Sequence, residues 1–209
     1  MSPREKITPT AAIARQVSAL RSARGLTAKE LGERMTARGC KWDRFTVSAL
    51  EKGAKGEKGA RQNVTVAELL ALADALDVPP VTLLVPLDGR TDLEVAPNVA
   101  RSSYSALFWV TGENAPADAE RRARWLEAAG PVDTYRTFRD TFRAAAKAET
   151  REDVAGRDAH LRTLAQVIEL GMLNRAITPP ALPAEWLDVM RDRGWLERAD
   201  EVPVQAEDG

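Results

Sequence analysis

The side chains best suited to act on another molecule lie between Asp43 and Lys52, in the stretch DRFTVSALEK. At 100° per residue, Val47 and Leu50 fall on one side of a helix, with Asp43 and Glu51 near them. Phe45, Ser48, Ala49 and Lys52 fall on the other. The first set anchors a short helix. The second leaves an outer face open to contact another molecule. A helix that buries only two large residues is too small to fold alone, so its neighbours must hold it.

Nothing else in the chain assembles into a reactive set. His160 is the only histidine, sits among charges and reads as a surface residue. Cys40 is the only cysteine, which excludes an internal disulfide framework. There is no Cys/His cluster for a metal and no Gly-rich phosphate loop. A Ser-Lys self-cleaving domain would need β-rich sequence, which is lacking. The expectation is therefore a protein that is not an enzyme and needs no cofactor.

The 209 residues suit one large domain or two small ones, with 44% hydrophobic and 29% charged residues, as in ordinary soluble proteins. No apolar run is long enough to span a membrane, and the first residues, MSPREKITPT, lack the apolar core of a signal peptide. With a single cysteine, this favours the cytoplasm. The net charge of −1 conceals a division. Residues 1–86 hold 14 Lys+Arg against 9 Asp+Glu, and residues 87–209 hold 16 against 22. For nucleic acid the charge on the binding face matters more than the total.

The elements that must position the 43–52 helix are legible around it. Asp43 is a good N-cap, Trp42 and Val47 can close a hydrophobic staple, and Gly53 suits the helix end. Before it, Thr8-Pro9 starts a helix with an apolar stripe of Ala12, Ile13, Val17 and Leu20, stopped at Gly25. Thr27 and Glu30 then form a capping box inside a Leu26–Leu31 staple, and that helix runs to about Thr36. The segment AKGEKGARQN after Gly53 reads as an exposed loop. Thr65 and Glu68 repeat the capping box within a Val64–Leu69 staple, starting a helix with Leu69, Leu70, Leu72, Ala73 and Leu76. A short helix from Pro80 to Val85 completes five helices.

GLTAKELGERM, FTVSALEKG and VAELLALADALDVPPVTLL together resemble the Xre, or lambda-repressor-like, helix-turn-helix family of transcriptional regulators over about residues 8–86. The turn from Ala37 to Trp42 is longer than usual for such a motif. Its Gly-x-x-Trp pattern, Gly39 to Trp42, is similar to that of regulators from actinomycete-type bacteria. The resemblance implies a five-helix DNA-binding domain over residues 1–87, double-stranded DNA as partner, and binding to two half-sites as a homodimer. It also implies base contacts from Arg44, Phe45, Ser48 and Ala49. Arg44 can pair its fork with guanine O6 and N7, or lie solvated or on a phosphate. Phe45 and Ala49 suit a thymine methyl. The phosphate contacts implied are Lys29, Lys52, Lys55, Lys58 and Arg61, with the backbone N–H groups of Thr27 and Ala28.

Residues 88–100 read as a linker, residues 101–198 as a helical domain suited to dimerisation, and residues 199–209 as a flexible acidic tail, so the expected fold class is all-α. Ser103–Thr111 reads as a helix capped by Gly112, although a strand also fits. Ala117–Ala129 reads as a helix burying Trp125 and Leu126, broken by Gly130-Pro131. Val132, Tyr135, Phe138, Phe142, Ala145 and Ala146 form one stripe. Val154, Leu161, Leu164, Ile168 and Met172 form another, antiparallel to the first. A last helix starts at Pro183-Ala184-Glu185-Trp186 and stops at Gly194. The aromatic set Trp109, Trp125, Tyr135, Phe138 and Phe142 suits either core or a small-ligand pocket. Two functions fit: a regulator that occupies a palindromic operator as a dimer, or an antitoxin-like or assembly protein whose C-terminal helices hold a protein partner.

Overall fold

The computed structural model describes residues 4–173 and 178–205. These form two compact units, one ending at Asn114 and the next beginning at Ala115. Among the described residues the fold is mostly helical, with nine α-helices and a three-stranded sheet, which corrects the all-α expectation.

The first unit opens with the five expected helices: α1 (Pro9–Ala23), α2 (Ala28–Ala37), α3 (Arg44–Ala54), α4 (Val66–Ala75) and α5 (Pro80–Leu84). Their caps are as the sequence indicates. Thr8 accepts from the Ala11 N–H, and Asp43 from the Thr46 N–H. Thr27/Glu30 and Thr65/Glu68 both close as reciprocal capping boxes. One core joins them, with Val17, Leu31, Met35, Val47, Leu50, Leu72 and Leu83 fully buried. Leu70 points outward, 53% exposed. Gly53, read as the end of α3, instead lies inside it. An ideal Cβ there would sit 3.5 Å from the Ala14 Cβ, an ordinary contact, and it is Gly56, at φ 66°, that takes the left-handed turn.

Residues 88–100 are not a linker. They hold β2 (Thr91–Ala96) and the start of β3 (Val99–Ser102). Strand β1 (Glu5–Ile7) pairs parallel to β2, with Glu5 opposite Thr91 and Ile7 opposite Leu93, and β2 pairs antiparallel to β3. Thr91 and Leu93 alternate inward as a strand requires, and Leu93 joins Ile7, Ala12, Val85 and Ala106 in a second cluster. Asn98, at φ 66°, turns the hairpin. Helix α6 (Ser103–Val110) follows, with Gly112 at φ 76° just beyond it.

The second unit holds α7 (Ala119–Glu149), α8 (Val154–Leu173) and α9 (Ala184–Asp192). Gly130-Pro131 does not break α7, which runs on as one helix of 31 residues. Its core gathers Phe138, Leu161, Leu164, Ile168, Leu182, Trp186 and Met190. Leu126 is 57% exposed rather than buried, and Trp125 is half-buried. Val132, Tyr135 and Val154 also lie outside the core. For Trp125 and Leu126 the reason is length. At 1.5 Å per residue α7 spans about 46 Å and α8 about 30 Å, so α8 is too short to run beside the whole of α7. The expected loose tail is ordered through Gln205: Ala199–Glu201 is a 3-10 turn, Val204 bridges Leu182, and Ala199 and Val202 enter the core. Residues 206–209 of that expectation lie outside the described residues.

Candidate nucleic-acid interface

Helix α3 owes its position to two close approaches. On its inner face Val47 and Leu50 are fully buried. At its start, Gly32 of α2 meets the backbone of Asp43. An ideal Cβ on Gly32 would lie 2.9 Å from the Asp43 carbonyl carbon, so no larger residue fits without a shift. The Thr36 hydroxyl lies 2.9 Å from the Trp42 carbonyl, within donating distance across the turn. The turn itself, residues 38–43, is fastened by Trp42, only 5% exposed.

Trp42 sits in a polar knot. Its Nε1–H donates to Glu68 Oε1 at 3.0 Å, and Arg61 donates to the same oxygen at 2.6 Å. The Arg61 guanidinium also lies over the Trp42 ring, 4.8 Å from its centroid. Burial pushes the Glu68 carboxyl up. The hydrogen bonds from the Thr65 N–H, Trp42, Arg61 and the Thr65 hydroxyl outweigh it and hold the pKa at about 2. A second pair, Arg21 and Glu51 at 2.6 Å, ties α1 to α3, and Arg21 also donates to the Leu26 carbonyl.

The outer face is bare. Arg44 and Ser48 are exposed and Phe45 is 65% exposed, while Ala49 is half-buried and its carbonyl accepts from the Arg61 N–H. The Arg44 guanidinium lies over the Phe45 ring, 4.5 Å from its centroid. Asp43, next in sequence, is committed elsewhere: Thr46 donates to it through both N–H and hydroxyl at 2.8 Å, and these bonds lower its pKa. Arg44 and Phe45 line a groove of about 540 Å³ together with Trp42, Asp43 and, from α2, Lys29, Glu33 and Thr36.

The phosphate candidates divide. Lys52, Lys55 and Lys58 are exposed around the end of α3, with Lys55 3.8 Å from Glu57. Lys29 is exposed and 3.5 Å from Glu33. Ala28 is the first residue of α2. Two of the candidates are already engaged within the fold. The Thr27 N–H already donates to Glu30 at 2.7 Å, so the capping box consumes it. Arg61 is held by Glu68 and Trp42, which turns it from a surface cation into a brace for the turn.

Comparison with family models, with curated proteins and with solved structures finds no match.

Sequence reasoning passed over Gly32 and the Arg61–Trp42–Glu68 knot. Gly32 had a signal, since a glycine inside a helical pattern costs about 1 kcal/mol relative to alanine and asks for a packing reason. The knot had none, because its three members are joined only by the fold. Among the described residues there is no group of three His, Cys, Asp or Glu able to hold a metal, and no helix is long and apolar enough to cross a membrane. The aromatic set is divided: Phe138 and Phe142 pack in or against the second unit's core, whereas Trp109 belongs to the first unit.

Proposed function

We propose that the chain is a sequence-specific, cytoplasmic DNA-binding regulator of transcription, of the lambda-repressor-like helix-turn-helix kind, with α3 entering the major groove. One observation carries the reading. Helix α3 has an inner face fully buried and an outer face with Arg44, Phe45 and Ser48 left bare. A recognition helix needs that combination, because base readout demands a rigid presentation of side chains that have no partner of their own. The lysines at 29, 52, 55 and 58 flank that face and suit the sequence-independent, salt-dependent part of binding. A palindromic operator bound by a homodimer belongs to the reading. The apolar residues exposed on α7, Leu126 and Val132, support a contact of that kind.

The same residues favour a second reading, in which the C-terminal unit holds a different protein and DNA binding is secondary, as in an antitoxin or an assembly factor. Light scattering on the eluting full chain separates them: a dimer fits the first, a monomer awaiting a partner the second. The direct test is selection from a random duplex pool at ~0.15 M salt, with Arg44→Ala in parallel. The expected result is an enriched palindrome that loses one base preference in the variant. Binding with no preference, weakening uniformly with salt, would overturn the regulator.

A further inference from the structure

Resting on that reading, we propose that Arg44 and Phe45 act as one stacked unit that recognises a guanine stepped against a 5-methylpyrimidine, so that 5-methylcytosine substitutes for thymine in the half-site. The basis is the arrangement of the two side chains. The Arg44 guanidinium lies 4.5 Å from the Phe45 ring centroid, and both side chains project into solvent from the first turn of α3. Among the described residues no carboxylate pairs with Arg44. Asp43 is taken by Thr46, and Glu33 lies nearest Lys29. The guanidinium therefore keeps its donors for a ligand while the ring covers one side of it.

The planar arginine fork matches guanine O6 and N7 in the major groove. Stacked base pairs are about 3.4 Å apart along each strand. A ring 4.5 Å from the fork therefore falls at the level of the adjoining base pair when the fork lies in the plane of the guanine. The apolar feature at that level in the major groove is the methyl on C5 of thymine. Cytosine methylated at C5 carries the same methyl at the same place. Phe45, 65% exposed without DNA, has apolar surface left to bury against it. Arg44 thus requires the guanine, and Phe45 requires the methyl beside it, whichever pyrimidine bears it.

The test uses the purified full chain and the duplex enriched by selection, with binding read by fluorescence anisotropy. The pyrimidine beside the guanine is made thymine, uracil, cytosine or 5-methylcytosine. Expected is about a fourfold weakening per half-site when thymine becomes uracil, the worth of one buried methyl. Expected too is the same gain when cytosine becomes 5-methylcytosine. Phe45→Ala should bind thymine and uracil sites alike while keeping the guanine preference. Arg44→Ala should lose both, because the ring is then no longer aligned by the fork. Both side chains are exposed, and unchanged melting of the variants verifies that the fold is intact. An enriched site whose affinity ignores the methyl, or a Phe45→Ala protein that still senses it, would overturn this inference and leave the regulator standing. The absence of any enriched site would overturn the regulator first.

Discussion

A single missing Cβ sets how closely α2 approaches α3. Gly32→Ala would place a methyl 2.9 Å from the Asp43 carbonyl carbon, and the neighbour there is backbone rather than a yielding side chain. The expected cost is about 1–3 kcal/mol, despite alanine's better helix propensity. Urea denaturation checks it, and unchanged stability would show that the approach has slack. Glu68 makes a prediction in pH. Its pKa falls from 4.5 to about 2 on folding. A lowered carboxylate pKa contributes stability that is complete above the unfolded value and is lost as pH falls through the folded one. The contribution, about 3 kcal/mol, should therefore be present at neutral pH and fade between about pH 4.5 and 2. Glu68→Gln should melt well below the wild type at pH 7, and the gap should close across that acid window. A gap that stays constant down to pH 2 would mean that the carboxylate is not what holds Trp42 and Arg61.

At the scale of elements, α7 carries a defect it does not need. Gly130 and Pro131 lie inside a continuous helix, Pro131 is exposed, and an ideal Cβ on Gly130 meets nothing within 4 Å. A proline in a helix interior costs about 3 kcal/mol and a glycine about 1. Replacing each with alanine should raise the melting temperature of the second unit, Pro131→Ala more than Gly130→Ala. A fall in melting temperature would mean that the helix uses a bend at this point. The same segment shows where sequence reading succeeds and where it fails. The caps at Thr8, Thr27, Asp43 and Thr65 were legible because each is a local bargain within four residues. The break at Gly130-Pro131 was misread by the same local logic, because packing of Phe138 and the turns beyond it carries the helix. Strand β2 was missed because its inward residues Thr91 and Leu93 give only one clear alternation, and its partner β1 begins at Glu5. In the site, the bare positions on α3 followed from period and spacing. The fates of Arg61 and Thr27 did not, because each is decided by a carboxylate whose position only the folded chain reveals.

For the molecule as a whole, the compact unit ends later than the resemblance does. A fragment of residues 1–87 would lack β2, β3 and α6, leaving Ile7, Ala12 and Val85 without Leu93 and Ala106. A fragment of residues 1–114 keeps every member of both clusters of the first unit. The longer fragment is expected to melt cooperatively by circular dichroism, and the shorter one several degrees lower or without a clear transition. Equal melting would reduce the sheet to an ornament on a self-sufficient five-helix domain. The two fragments would also show which residues a binding assay on the isolated first unit must retain.

Pairing β1 with β2 joins residue 5 to residue 91, so the beginning of the chain is held by a segment made much later. During synthesis at about 5–20 residues per second, Glu5–Ile7 must wait roughly 4–17 seconds for Thr91–Leu93 to exist. All five helices of the proposed reading head are made within that interval, the last of them ending at Leu84, and each precedes the strand that seats the first residues. The sheet therefore acts as a clasp that closes last, and the ribosome's pace, rather than the helices' own speed, determines when the domain is finished.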